Sequence, residues 1–202
     1  PMIVRFGKNF QHLDPRKPGS RTDELVSFVD LAPTVLSLAG VSEPDYMQGR
    51  AFLGKKRGEA RDYVFCLRGR MDERYDFSRA VRDKRFKYIR NYNPHRIYGQ
   101  HLQYLWKMPA TNSWEAMYKA GKCNEAQSHF WEEKPAEELY DTEKDPWEVN
   151  NLADDPEYKD ILLKMRKENR EHLLRIYDSG FLPEGMMVDM GKEAGSIHQL
   201  VR

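Results

Sequence analysis

FSRAVRDKRFKYIRN, residues 77–91, decides the fold. Side chains of a strand alternate between its two faces, so Phe77, Arg79 and Val81 fall on one side and Ser78, Ala80 and Arg82 on the other. The pattern breaks at Asp83–Arg85 and resumes as FKYIRN, rich in aromatic and β-branched residues. Two strands joined by a tight turn are therefore expected. Upstream, YVFCLRG (63–69) reads as another strand, and downstream EELYD (137–141) as a short one. Asp155-Pro156 then opens a helix, because aspartate caps free N–H groups and proline is tolerated at the first helical position. Its stripe is Tyr158, Ile161, Leu162, Met165, Asn169, Leu173 and Ile176, and Gly180 is expected to stop it near residue 179. Such a helix buries its stripe by lying across the small antiparallel sheet, an α+β arrangement.

Working toward the N-terminus, residues 41–62 are polar and turn-rich and mark a boundary between structural parts. Before it, LVSFVDLAPTVLSLAGV (25–41) predicts a helix from Asp30, since Pro33 is acceptable only in the first turn. Asp30 is the expected cap, Leu31, Val35, Leu36, Leu38 and Ala39 the buried stripe, and Gly40 the stop. Residues 7–22 form a Gly- and Pro-containing basic loop, and Met2–Phe6 reads as an edge-ward strand. The stretch 92–136 is long and aromatic, with Ser113–Ala120 a short helix ended by Gly121; stretches of this length are usually functional or packed over something. The tail from residue 181 shows no clear periodicity.

Composition sets outer limits. With 40% hydrophobic and 12% aromatic residues in 202, the chain is long enough to bury a core. Lys and Arg number 33 against 32 Asp and Glu, and a net charge of +1 lacks the basic excess of a nucleic-acid binder. No apolar run approaches the ~20 residues that span a bilayer. Arg5 and Lys8 interrupt the first ten residues, which do not read as a signal peptide, and Pro1 in place of an initiator methionine fits a portion of something longer. Cys66 and Cys123 lack metal-site spacing; two free thiols are favoured over a single bridge.

Three segments carry a resemblance. PMIVRF with its basic loop and VSFVDLAPTVLSLAG (26–40) is similar to the last core strand and helix of the large sulfatase domain. RAVRDKRFKYIRNY (79–92) is similar to the paired strands of that family's smaller C-terminal subdomain, and PAEELYDTEKDPWEVNNLADDPEY (135–158) to its final strand and the loop into its closing helix. The segments occur in the family's order and cover most of residues 1–180. The resemblance implies three parts: residues 1–60 ending the large α/β domain, 61–180 the C-terminal subdomain and 181–202 a tail. Within this alkaline-phosphatase-like superfamily, the aromatic insertion and YDSGFLPEG (177–185) look most like the heparan N-sulfatase (sulfamidase) branch; arylsulfatases and glucosamine-6-sulfatases stay open.

The family's chemistry implies a formylglycine made from Cys or Ser in a C/S-x-P/A-x-R motif, and a divalent cation, calcium, held by Asp and Asn side chains. Cys66 is followed by Leu67-Arg68-Gly69 and Cys123 by Asn124-Glu125-Ala126, so neither fits. No catalytic or metal residue is assigned; Asp30 and Asp145 are read as helix and turn caps. The resemblance places the nucleophile and ligands before Pro1. It aims the loop RGRMDERYDFSR (68–79) at the substrate pocket, with Arg68, Arg70, Asp72, Glu73, Arg74 and Tyr75 as candidates. A guanidinium offers carboxylates and sulfates a planar fork of donors, and acids bond sugar hydroxyls. The bland alternative is a solvated hairpin end whose charges pair with one another. His95 and His101, among tyrosines and tryptophans, are further candidates, against which an aromatic cluster is more often core or interface. His129, His172 and His198 are read as ordinary positions.

The expectation is thus the C-terminal portion of a sulfatase acting on sulfate esters or sulfamates of sulfated sugars, inactive alone. Its expected partners are the upstream half of the same enzyme and the sugar, with neither nucleic acid nor membrane, and a homo-oligomer is allowed. The implied setting is periplasmic, secreted or lysosomal. A non-catalytic module binding acidic glycans or a partner chain is the alternative.

Overall fold

The computed structural model describes residues 2–14, 16–70 and 73–195. Contacts divide the chain into two units, Pro1–Val64 and Phe65–Arg202.

The first unit is built around α1, Leu31–Leu38, entered through a 3₁₀ turn at Phe28–Asp30 and left through Gly40 at φ 75°. The left-handed stop falls where the sequence put it. The buried face does not. Pro33, Thr34 and Ser37 face inward, whereas Val35 is 64% exposed. The reason is hydrogen bonding: residues 50–58 run over the polar side of the helix, and their amides need acceptors. Thr34 Oγ1 accepts from Phe52 N at 3.1 Å and Ser37 Oγ from Lys56 N at 3.0 Å. Gly54, at φ 86°, passes so close that a Cβ would stand 2.5 Å from Ser37 Oγ. The 41–62 stretch is therefore not mere linker; Ala51 and Leu53 are buried in it.

Asp30 is also reassigned. Its side chain makes no cap bond to α1; it accepts from Ser27 N at 2.9 Å, Arg50 N at 2.8 Å and the Arg61 guanidinium. Burial pushes its carboxyl up, but those donors outweigh burial and hold it below the usual carboxylate range. Met2–Phe6 forms no strand. A strand needs a neighbour for its backbone groups, and none of the described residues pairs with this segment, leaving Ile3 94% exposed.

The second unit carries the sheet: β1 Val64–Arg68, β2 Ser78–Arg82, β3 Phe86–Asn91 and β4 Glu137–Asp141, in the order β1-β2-β3-β4. The β2–β3 hairpin pairs Ser78 with Asn91 and Arg82 with Lys87, and β3 runs antiparallel to β4, with Phe86 opposite Asp141. The four strands and their short hairpin turn are those the alternation predicts. Between β3 and β4 the aromatic stretch folds into α2, Pro109–Lys119, and the single turn α3, Glu125–Ser128. Trp106, Trp114, Tyr118, Phe130 and Trp131 pack there edge-to-face and stacked, with Trp114 and Phe130 at 4.7 Å. The cluster is a satellite core.

α4, Lys159–Arg175, lies across β2 and β3 and buries Leu162, Met165, Asn169 and Leu173, four of the seven stripe residues. The core beneath it is Val81, Tyr88, Leu139 and Met165, each at most 1% exposed. The helix ends earlier than Gly180 implies: Ile176 caps it and Tyr177 takes the left-handed position at φ 50°. Beyond it Glu184–Glu193 forms α5, where no periodicity signals a helix. Among the described residues no helix is long and apolar enough to cross a membrane.

His172 is no ordinary surface position. Its ring stacks on Phe65 at 3.6 Å and 5°, and burial, reinforced by Arg175, pushes the imidazole below its usual value. A depressed imidazole favours the neutral folded form, so this stability is present above the unfolded pKa of about 6.5 and is lost as pH falls below it. Urea midpoints at pH 7 and pH 5 should differ less in His172→Phe than in the parent; an unchanged difference would exclude His172 as the source.

Candidate functional site

The site is assembled at the β1–β2 connection of the second unit. Its foundation is Asp76, 1% exposed, which accepts Lys134 Nζ at 2.6 Å through each oxygen and Phe77 N at 2.8 Å. Arg68 Nε stands 3.3 Å from the same carboxylate. The Lys134 side chain is fully buried and lies 5.4 Å from the Tyr98 ring centre. A buried charge persists only when paired and hydrogen-bonded. Lys134 comes from the end of the aromatic stretch, so this pair locks that stretch to the loop's base. Arg79 adds a second lock, donating through Nη1 to Arg68 O at 3.0 Å and through Nη2 to Asp178 at 3.0 Å.

Above this base the candidates separate into groups. Glu73, Arg74 and Tyr75 meet His101 and its neighbours: Arg74 Nε donates to His101 O at 2.7 Å, Glu73 accepts from Gln103 N at 2.8 Å, and Gln100 Nε2 donates to Tyr75 O at 3.3 Å. The Gln103 amide holds the Glu73 carboxyl below its ordinary range. The His101 ring rests over Trp106 at 4.5 Å. Arg70 turns elsewhere and forms a two-pronged pair with Glu184 at 2.6 and 2.7 Å, which draws α5 onto the loop and lowers the Glu184 carboxyl. His95 is exposed in the turn after β3 and is not part of either group. Asp72 lies outside the described residues.

Most of these charges bind distant segments, while Arg68 pairs within the loop with Asp76, as the self-paired alternative expects. Arg74 is the most available candidate: it is exposed, its Nε is fixed, and its terminal nitrogens meet no acceptor among the described residues. Asp76 and Lys134 went unrecognised in the sequence, where Asp76, just before FSRAV, falls in the alternation with Ser78 and Arg82 and carries no local signal.

Asp145 is a turn cap as expected, accepting from Val149 N at 2.8 Å and Asn150 N at 2.7 Å. Cys66 and Cys123 are free thiols. No three His, Cys, Asp or Glu side chains converge to hold a metal among the described residues.

A four-stranded antiparallel sheet crossed by a helix, with the loop and its anchors at one end, is the α+β arrangement of the second unit. The chain belongs to the N-sulphoglucosamine sulphohydrolase C-terminal family, whose profile matches residues 1–101. An ulvan-active sulfatase of Formosa agariphila is 42% identical over 192 residues, covering 94% of this chain and 31% of that protein. A second ulvan-active sulfatase of the same organism is 36% identical over 175 residues, covering 83% and 31%. The solved structure of a 2-O GAG sulfatase superposes with a TM-score of 0.54 at 26% identity, covering 79% of this chain and 27% of that one. The chain therefore spans about a third of the length of the curated relatives it matches.

Proposed function

We propose that this chain is the substrate-shaping portion of a sulfatase that hydrolyses sulfate esters or sulfamates on sulfated sugars. The nucleophile, a formylglycine, and a divalent cation, calcium, belong on this reading to the remainder of the enzyme. Family membership supports the reaction class, and the relatives' activities toward ulvan and a GAG support a saccharide. The observation that carries the local role is Arg74, its Nε clamped to His101 O and its terminal nitrogens without an acceptor among the described residues. A fork held on one side by the backbone is pre-organised to take an anionic oxygen pair on the other. Glu73 alongside it is held ionised and suits sugar hydroxyls.

The first unit supports a partner within the same protein. Phe28 is 91% exposed and Val35 64%, one apolar side of a short helical segment without cover from its own unit. The upstream part of a large sulfatase domain is the surface that would cover it. A periplasmic, secreted or lysosomal setting accords with this class.

In the complete enzyme, Arg74→Ala should raise KM for a sulfated disaccharide roughly tenfold, the loss of about one charged hydrogen bond. KM for a small aryl sulfate should change much less. Steady-state kinetics on both substrates check this, and equal shifts on the two would remove the loop's part in recognising the sugar.

A further inference from the structure

A groove of about 750 Å³ runs between α4 and the face of β3, sharing no residue with the loop at 68–75. Three of its features bear on a ligand. Asn169 lies on its floor, 3% exposed, and its Oδ1 has no hydrogen-bond partner among the described residues. An unsatisfied buried acceptor is costly and calls for an explanation. Next, three guanidiniums line the groove, and two of them, Arg166 and Arg90, face one carboxylate. Arg166 forms a two-pronged pair with Glu137 at 2.8 Å, Arg90 stands 3.8 Å from the same group, and Arg170 is exposed on the next turn. The other lining acid, Asp178, is already taken by Arg79. Finally, Tyr177 adopts φ 50°, a conformation that disfavours side chains and suits glycine, yet its ring is 75% exposed and gains nothing from burial. Beside it Phe181, 51% exposed, meets Tyr92 edge-to-face at 5.0 Å, and both rings also pack on Phe77.

These features select a ligand chemistry. Flat apolar faces bind the C–H faces of a sugar ring, surplus guanidinium calls for an anion, and the Asn169 acceptor calls for a hydroxyl donor. A fatty acid would satisfy the first two and leave the amide unpaired; a bare sulfate would satisfy only the second. We propose that the α4–β3 groove is a binding site for an acidic saccharide, with Tyr177 stacking on the ring beside the Tyr92–Phe181 pair, Arg170 and Arg90 holding its sulfate or carboxylate, and Asn169 accepting from a hydroxyl.

The test uses the complete protein and a heparin-derived hexasaccharide, read by titration calorimetry and by hydrogen exchange of the 166–181 backbone. Protection of that segment is expected in the parent. Tyr177→Gly and Arg170→Ala should each weaken the binding that produces it roughly tenfold, about the value of one stacking or charged contact. Thermal midpoints should be kept, because glycine suits the left-handed position and Arg170 is exposed. Arg74→Ala should leave the protection at 166–181 intact, which separates this groove from the loop. Protection confined to residues 73–103 or absent altogether overturns the proposal. So does equal protection by neutral maltohexaose, or by octanoate, or binding that survives both groove substitutions.

Discussion

Lys134→Met should cost about 3–5 kcal/mol of unfolding free energy, the penalty for leaving a buried carboxylate without its cation. Asp76 is 1% exposed and the Lys134 side chain fully buried, so water cannot replace the lost partner. Arg68 stands within 3.3 Å of Asp76, but its side chain is 39% exposed, and solvent weakens the compensation it offers. The double variant Asp76→Leu/Lys134→Met should cost much less than the sum of the single changes, because it removes both desolvated charges at once. Chemical denaturation of the four proteins in the cycle measures this coupling. If the single and double variants are simply additive, the pair does not hold the aromatic stretch to the loop. A functional consequence follows from the same geometry. Arg74 depends on His101 O for its position, and His101 lies on the stretch that Lys134 anchors. Near its melting range Lys134→Met should therefore lose preference for the sulfated sugar before it loses turnover of a small ester.

The strands and α4 were legible in the sequence for a physical reason: a sheet with one helix across it imposes regular periods of 2 and 3.6 on the residues facing the core. Val81, Tyr88, Leu139 and Met165 obey those periods and form that core. α1 was misread because periodicity records hydrophobicity, whereas its buried side was chosen by amides of residues 50–58 seeking Thr34 and Ser37. The end of α4 was misread for a related cause: glycine is the usual left-handed residue, and here Tyr177 holds the position three residues earlier than Gly180. At the site, the arginines and acids of residues 68–75 stood out as a charged loop, but apart from Arg68 with Asp76 their partners lie far away in sequence. Arg70 meets Glu184 in a helix without clear amphipathicity, and Asp76 meets Lys134 across 58 residues. Pairings of that kind are set by tertiary closure and leave no local pattern.

Glu138→Ala should be the other severe substitution. Glu138, 3% exposed on β4, accepts from the hydroxyls of Tyr98 and Tyr140 and from the Asn91 amide. Removing the carboxylate orphans the Tyr140 and half-buried Tyr98 hydroxyls, while Asn91 Nδ2 keeps Pro135 O, and at about 1–3 kcal/mol for each orphaned group the loss should reach several kcal/mol. Glu138→Gln keeps an acceptor oxygen and should cost less. The same network makes a pH prediction with a definite sign. Burial, with hydrogen bonds to Glu138, pushes the Tyr98 and Tyr140 hydroxyls well above the usual phenol value. A group whose folded pKa is raised contributes stability that is complete below its unfolded pKa, about 10, and is lost as pH climbs toward the folded value. The protein should therefore weaken above pH ~10, and tyrosinate absorbance of these two rings should rise only as the chain unfolds. In Glu138→Gln the neighbouring negative charge is gone, so the hydroxyls should ionise nearer their ordinary range and alkaline weakening should be shallower. If the parent and Glu138→Gln lose stability along the same alkaline curve, the tyrosines are not coupled to Glu138. The aromatic stretch would then be held to the sheet by Lys134 and ring packing alone.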